Sequence, residues 1–226
     1  MTHGEVADDR VRPIPVAEQL WGARCLAYSV NIRLPGDATA EFVRVQDRFA
    51  SLDGLLRVPE GALHISAVNL LDVRAHYRQG KAKLWERFGA RWIAAVAKAA
   101  AASEPFVVSY HELRATSAAV VAVAHPVAAI DILRRTAEER LSLPAETPRQ
   151  RTLIHTTLFR YASSEVDLRE VQMTAGAVRL GVSFVVDELA VMREERFPSL
   201  EVQTLAVIPV GDGTDATPPN CQPDIW

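Results

Sequence analysis

Two short stretches carry most of the structural information in this chain: LHISA at residues 63–67 and IHTTL at residues 154–158. Side chains of a β-strand alternate between its two faces. In the first stretch this alternation puts His64 and Ser66 on one face and apolar side chains on the other. In the second it puts His155 and Thr157 together, with apolar side chains behind them. Each stretch therefore predicts a strand with one apolar face and one face that carries an imidazole and a hydroxyl.

The patterns around the two stretches place them in similar surroundings. In the first half we predict a strand at 25–34, a helix from Phe42 to Leu52, the His64 strand at 62–71, a helix at 77–102, and strands at 106–113 and 118–124. In the second half we predict a helix at 130–141, the His155 strand at 152–160, a helix opened by a capping box at Ser164 and Asp167, and strands at 181–192 and 200–209. Although the halves share little residue identity, this order indicates an internal duplication. It predicts an α+β fold, bilobal and pseudo-twofold, in which two antiparallel sheets face a central groove and the helices lie outside.

The duplication sets the predicted domain boundaries. Residues 25–210 form a single bilobal domain, with His64 and His155 in opposite halves. Residues 1–24 are charged and contain proline without a sustained period, which is typical of an arm that lies over the body. Residues 211–226 contain three prolines and have the same character, so we predict a C-terminal tail.

Composition narrows the function. A net charge of −3 and a pI near 6.1 disfavour a surface that holds long nucleic acid nonspecifically, because that mode depends on many Lys and Arg side chains. Cys25 and Cys221 are too isolated for a metal knuckle or a disulfide framework. With no charged leader and no apolar run of membrane-spanning length, we expect a cytoplasmic protein that does not bind membranes.

A pair of histidines with hydroxyls suits one chemistry. Opening a phosphodiester requires one group to take a proton from the attacking oxygen and another to give one to the departing oxygen. Imidazole titrates near neutrality, so two imidazoles can do both without a metal. The hydroxyls of Ser66 and Thr157 can donate to phosphate oxygens. The spacing alone is equally compatible with two ordinary strand histidines that pack among their neighbours.

The two motifs resemble those of the 2H phosphoesterases, and within them the LigT-like group often labelled 2′-5′ RNA ligases. Members of this family carry two H-x-[ST]-x motifs on paired strands of a bilobal fold. The second stretch, HTTLFR at residues 155–160, is similar to the H-x-T-L-x-R form of LigT-like proteins. In the first motif Ser66 stands where Thr is usual, which keeps the hydroxyl but loses the stiffening methyl. The segment from Val182 to Ile208 resembles the closing hairpin of the family.

The resemblance implies hydrolysis of a cyclic phosphodiester, such as the 2′,3′-cyclic phosphate of an RNA end or nucleotide, to a 2′-phosphate, or cleavage of a 2′-5′ linkage. It implies that His155 activates water and that His64 protonates the leaving oxygen. It implies no cofactor and no metal, and no obligate protein partner is expected. Arg160 is a further phosphate-binding candidate. However, strict alternation from His155 puts it on the back face, so phosphate contact requires the strand to bend or to end at Phe159.

Other residues and functions stay open. Phe159 shares a face with His155 and could stack a base, and Asn31 on the first strand could line the groove; packing and solvated positions are the simpler interpretations. Charged positions on the helix at 130–141, including Arg134, are most simply a solvated face. The alternative function is a noncatalytic module that binds a nucleotide or an RNA end on the same fold. A weaker alternative is a structural protein in which both histidines are packing residues.

Overall fold

The computed structural model of the chain describes residues 12–16, 20–149 and 153–211. Within these residues the chain forms nine strands and four α-helices. The strands are β1 (Arg24–Arg33), β2 (Leu55–Arg57), β3 (His64–Leu71), β4 (Phe106–Ala115), β5 (Ala119–Ala124), β6 (His155–Tyr161), β7 (Ser183–Val186), β8 (Glu188–Arg196) and β9 (Glu201–Pro209). The helices are α1 (Gly36–Asp47), α2 (Lys81–Ala101), α3 (Ala128–Leu141) and α4 (Leu168–Ala177), and a short 3-10 helix spans Glu60–Ala62.

All strand pairs are antiparallel, and the strands follow the order β7-β4-β5-β6-β3-β1-β8-β9, with β2 on β6. The first lobe consists of the strands β3-β1-β8-β9 and the helices α2 and α3. The second lobe consists of the strands β6-β5-β4-β7, together with β2, α1 and α4. The lobes join where β3 pairs with β6, in the register Ile65 to Thr156. The expected antiparallel α+β architecture is confirmed, and its two sheets are continuous through this junction.

The helices pack on the sheets through apolar side chains at helical spacing. On α1, Phe42 meets Tyr110 edge to face with ring centroids 4.9 Å apart. Phe49, just beyond α1, packs against Phe159 of β6. On α2, Trp85 stacks on Tyr28 of β1 at 4.2 Å. The core of each lobe therefore lies between its helices and its sheet, on the side of the sheet opposite the histidines.

The lobes do not coincide with the two halves of the sequence. Helix α1 comes from the first half of the chain but packs on β4 and β6 of the second lobe. Helix α3 comes from the second half but packs on α2 and β3 of the first lobe. Each half thus contributes a helix to the opposite lobe, which the predicted order of elements did not reveal.

Several predicted boundaries were wrong. The strand predicted at 181–192 is two strands, because Asp187 separates β7 on β4 from β8 on β1. Helix α4 starts at Leu168 because Asp167 is itself the N-cap and accepts hydrogen bonds from the backbone N–H groups of Arg169 and Glu170. Strand β2 was not predicted, and Thr152, the predicted start of the His155 strand, lies outside the described residues.

The N-terminal arm is described only in part. Within residues 12–16, the N–H of Ile14 donates to the carbonyl of Ser117 at 2.6 Å, and the N–H of Val16 donates to the carbonyl of Tyr161 at 3.0 Å. These bonds attach that segment to the second lobe. The rest of the predicted arm up to residue 19, and the predicted tail beyond Gly211, lie outside the described residues.

Replacing Phe42 by alanine should strongly destabilise the protein. The ring is fully buried between α1 and β4, so its loss leaves a cavity, and we expect the free energy of unfolding to fall by about 3–5 kcal/mol in urea titrations. As a control, Met173→Ala on α4, where the side chain is 61% exposed, should change it by less than about 0.5 kcal/mol. Equal effects of the two changes would contradict this packing of α1 on the sheet.

Candidate active site

A cavity of about 220 Å³ lies at the junction of the lobes, on the face of the sheet opposite the core. Its polar wall comes from two neighbouring strands. Strand β3 supplies His64, Ser66 and Asn69, and β6 supplies His155, Thr157 and Arg160. The rest of the lining comes from β1, the connection between β2 and β3, the loop after β3, β8 and the β8–β9 turn, and includes Tyr28, Ser29, Val58, Asp72, Glu194 and Ser199.

The pairing of β3 with β6 brings the two histidines together. Ile65 and Thr156 are register partners, both are fully buried, and both point away from the cavity. The Thr156 hydroxyl is tied to the Tyr110 hydroxyl at 2.6 Å on that buried side. Because side chains alternate along a strand, the neighbours of this pair, His64 and His155, must point to the opposite side. The structure therefore places both imidazoles at one cavity, as the two motifs predicted.

Hydrogen bonds orient the ring of His64. Its Nδ1 lies 2.8 Å from the carbonyl oxygen of Ala62, so Nδ1 carries the proton and donates. Nε2 of the neutral ring is then an acceptor, and it lies 3.2 Å from the Ser66 hydroxyl, which donates to it. The corresponding neighbour of His155 is the carbonyl of Leu153, which favours the protonated ring. His155 Nδ1 nevertheless makes no hydrogen bond within the described residues.

Both imidazoles are held in the neutral form. Burial is the main cause that lowers the pKa of His64 and of His155. The carbonyls of Ala62 and Leu153 oppose the effect of burial, and the positive charge of Arg160 adds to it at both rings. A charge on His64 also lowers the pKa of His155, so the pair accepts a first proton more readily than a second.

A β-bulge brings Arg160 into the cavity. Along β6, Thr157 pairs with Val121 and Phe159 pairs with Val120, so Leu158 has no partner on β5. Leu158 and Phe159 are consecutive buried residues, and Arg160 returns to the side of His155 and Thr157. The back-face position that strict alternation gave to Arg160 is therefore wrong, because the extra residue shifts the alternation by one place.

Strand β3 contains a β-bulge at the corresponding position. Ser66 pairs with Asn31 and Val68 pairs with Val30, so Ala67 has no partner on β1. Asn69 then faces the cavity, as Arg160 does from β6. Asn69 was not among the predicted site residues. The sequence does contain one signal, because a polar residue, Asn69 or Arg160, stands five positions after the histidine in both motifs. Strict alternation puts such a residue on the back face and therefore does not reveal its role.

The two possible groove-lining residues do not line the cavity. Phe159 is 3% exposed and packs against Phe49, because the bulge that turns Arg160 to the cavity turns Phe159 into the core. Asn31 is 4% exposed on β1, opposite Ser66, and its Oδ1 has no hydrogen-bond partner in the described part of the chain. These two positions are corrected accordingly.

The guanidinium of Arg160 is largely uncommitted. Among the described residues it makes one long contact, from Nη1 to the carbonyl of Ala118 at 3.5 Å, and its buried Nε has no partner there. Burial, and then the neighbouring charge of Arg74, lower its pKa, whereas Glu194 opposes them. Arg160 forms no ion pair with a carboxylate in the described part of the chain, so its fork of N–H donors can bind a phosphate in bidentate fashion.

A carboxylate faces the cavity from strand β8. Oε1 of Glu194 accepts a hydrogen bond from the backbone N–H of Ser199 at 2.5 Å. Burial is the main cause that raises the pKa of Glu194, Asp72 raises it further, and Lys81 and Arg160 lower it. The cavity thus has imidazole and hydroxyl groups on β3 and β6, the guanidinium of Arg160 on β6, and carboxylates on β8 and in the loop after β3.

Neither a metal cluster nor a membrane-spanning helix is found in the described part of the chain. No three His, Cys, Asp or Glu side chains there are grouped so that they could hold a metal ion. No helix there is sufficiently long and apolar to span a membrane.

Comparison with known proteins shows the fold. No protein family model matches the sequence, and no curated protein matches it. Solved structures do match. TT0787 of Thermus thermophilus aligns at a TM-score of 0.58 with 18% identity, over 82% of this chain and 99% of that one. E. coli LigT in its apo form aligns at 0.54 with 15% identity, over 84% and 99%. ATU0111 of Agrobacterium tumefaciens, a conserved protein of unknown function, aligns at 0.58 with 13% identity, over 86% and 93%.

E. coli LigT has also been crystallised with 3′-AMP, with phosphate and with ATP, and those structures align equally well. The chain therefore has the fold of LigT, which is the fold that the resemblance implied.

Removing the charge of Arg160 should raise the pKa of both cavity histidines. Arg160 disfavours the imidazolium form of each ring, so Arg160→Met should shift both titrations to higher pH in NMR spectra of the imidazole groups. In the unmodified protein both should titrate below the ordinary value of about 6.5. The exposed Arg140→Met is the control and should move neither. Unchanged titrations in Arg160→Met would show that Arg160 does not face the rings.

Proposed function

We propose that the protein is a metal-independent phosphoesterase of the 2H type that opens cyclic phosphodiesters, with a nucleotide or an RNA end as substrate. The observation that carries the proposal is the placement of two neutral imidazoles, two hydroxyls and an uncommitted guanidinium around one cavity. The hydroxyls and the guanidinium can bind the nonbridging oxygens of a phosphate, and the imidazoles can transfer the protons that in-line displacement at phosphorus requires. The fold is shared with LigT, which has been crystallised with 3′-AMP, phosphate and ATP.

In the proposed ground state, Arg160, Ser66 and Thr157 bind the nonbridging oxygens of the phosphate. Arg160 has N–H groups available for this, and both hydroxyls line the cavity. The negative charge of the phosphate offsets the charge of Arg160 and favours a proton on one of the rings. Because a charge on either ring disfavours the other, the complex holds one imidazole and one imidazolium, which is the state that acid and base catalysis requires.

We assign His155 as the base and His64 as the acid. His155 takes a proton from water as the water oxygen forms a bond to phosphorus. The bond from phosphorus to the 3′-oxygen breaks, and His64 gives its proton to that oxygen. A 2′-phosphate and a free 3′-hydroxyl result, with no net change in protons on the pair. The charge that develops on the nonbridging oxygens is stabilised by Arg160 and the two hydroxyls.

Hydrolysis of nucleoside 2′,3′-cyclic phosphates in excess chelator tests the proposal. Loss of either the acid or the base should lower kcat by about 10²- to 10⁴-fold, so we expect this of both His64→Ala and His155→Ala. The matched control is His125→Ala, which removes an exposed histidine that stacks on His111 away from the cavity. If the wild type turns over no cyclic phosphate but binds its 2′-phosphate product, the protein is a binding module and the catalytic proposal is wrong.

Arg160→Met should act mainly on phosphate binding. Hydrogen bonds to a charged group contribute about 1.5–3 kcal/mol, so the affinity for inorganic phosphate should fall by about ten- to a hundredfold in calorimetric titrations. Arg140→Met, which removes an exposed arginine of α3, should leave this affinity unchanged. Retention of wild-type affinity in Arg160→Met would remove Arg160 from the phosphate site.

A further inference from the structure

Gln46 of α1 contacts the bulge of β6 from the core side. Its side chain is 1% exposed, and Nε2 donates to the carbonyl of Leu158 at 2.9 Å and to that of Val58 at 2.8 Å. Leu158 is the residue of the bulge that has no partner on β5. The Oε1 of Gln46 accepts from Arg57 Nε at 3.0 Å, which fixes the orientation of the amide.

Arg134 of α3 contacts the bulge of β3 in the same way. It is 4% exposed, its Nε donates to the carbonyl of Ala67 at 3.0 Å, and its Nη2 donates to that of Ser66 at 3.1 Å. Ala67 is the unpaired residue of this bulge. The prediction that Arg134 lies on a solvated helix face was therefore wrong. Its Nη1 also lies 3.8 Å from a carboxylate oxygen of Asp131 on the same helix.

Both side chains interrupt apolar helix faces. Gln46 lies beside Phe42 and Val45 on the buried face of α1, and Arg134 lies beside Ile130 and Leu133 on that of α3. A buried amide or guanidinium costs more free energy at such a position than a leucine unless it makes hydrogen bonds, so packing alone does not explain either residue. Both side chains instead donate to carbonyl groups of the bulges. The carbonyl of Leu158 also accepts from the backbone N–H of Val58 at 2.9 Å, so Gln46 supplies its second hydrogen bond.

Each of the two bulges is thus held by a buried polar side chain of a helix, but the two side chains differ in type. In each motif the bulged residue stands three positions after the histidine, and the helix that holds it comes from the opposite half of the chain. We call each of these side chains, with the carbonyl groups that it contacts, a clamp. The β6 clamp is the amide of Gln46, and the β3 clamp is the guanidinium of Arg134. What the two clamps share is the bulge, and the bulge is what turns Arg160 and Asn69 toward the cavity.

We infer that Gln46 and Arg134 are positioning residues: by holding the two bulges they keep Arg160 and Asn69 at the wall of the cavity in which the phosphate is proposed to bind. Without Gln46, β6 can relax toward regular alternation, which carries Arg160 to the back face. Without Arg134, β3 can relax likewise and withdraw Asn69. The inference rests on the proposed function only in that the ligand is taken to be a phosphate.

A double-mutant cycle on the full chain tests the β6 clamp, with inorganic phosphate as the probe. Gln46→Met keeps the volume and removes both donors. We expect it to weaken phosphate binding about tenfold, and to have little further effect when Arg160 is already methionine, because both changes remove the same guanidinium. Tyr161→Phe is the control. It deletes one hydrogen bond of β6, from the Tyr161 hydroxyl to the carbonyl of Thr116, outside the bulge. It should lower the thermal midpoint without changing phosphate affinity.

A second cycle tests the β3 clamp and covers the case in which Gln46→Met does not fold. Arg134→Lys retains the charge and a donor but not the forked contact with Ser66 and Ala67. It should weaken binding less than Arg134→Met does, and its effect should vanish in an Asn69→Ala background. Losses that add fully in both cycles, or variants that fold and bind phosphate as the wild type does, would overturn the inference.

The outcomes separate this inference from the proposed function. Coupled losses of phosphate affinity in a protein that hydrolyses no cyclic phosphate would support the clamps and overturn the catalytic proposal. Hydrolysis that depends on both histidines, together with additive losses, would overturn the clamps alone. A wild-type protein that binds no phosphate would count against both.

Discussion

The site depends on the short pairing of β3 with β6, where Ile65 opposes Thr156. This pairing joins the two lobes and points both histidines to the same side. Because side chains alternate, a slip of one residue in either strand would turn one histidine into the core. Burial of Ile65 and Thr156, and the bond from Thr156 to Tyr110, make such a slip costly. The register is thus held from the core side, away from the groups that act on a ligand.

The electrostatics of the cavity follow from its position between two sheets. Burial keeps His64 and His155 neutral, and Arg160 reinforces this, so the guanidinium is the cationic group of the cavity wall. An anion reverses the balance, because it stabilises both the guanidinium and a first imidazolium. Anion binding and protonation of the pair are therefore linked, and in the proposed mechanism Arg160 both binds the phosphate and sets the protonation of the rings.

Much of this arrangement could be predicted from the sequence. The β-bulges and the buried position of Arg134 could not, for physical reasons that can be named. The two histidine strands, the helices and the α+β class follow from local periodicity. The bulges do not, because Ala67 and Leu158 are ordinary strand residues and the extra position shows only in the pairing with β1 and β5. Hence strict alternation puts Arg160 on the back face and Phe159 toward the groove, and it gives no reason to choose Asn69, whereas the bulges bring Arg160 and Asn69 to the cavity. Arg134 was misjudged for a related reason: its partners are backbone carbonyls, which no side-chain pattern reveals.

The exchange of helices between the lobes determines whether the chain can be divided into parts that fold on their own. The chain passes back and forth, with β1 in one lobe, α1 and β2 in the other, and β3 again in the first. No single cut yields two self-sufficient pieces, although the architecture has twofold character. Each lobe can complete its core only when segments distant in sequence have come together, which favours cooperative folding of the whole and a comparatively slow search for the native topology.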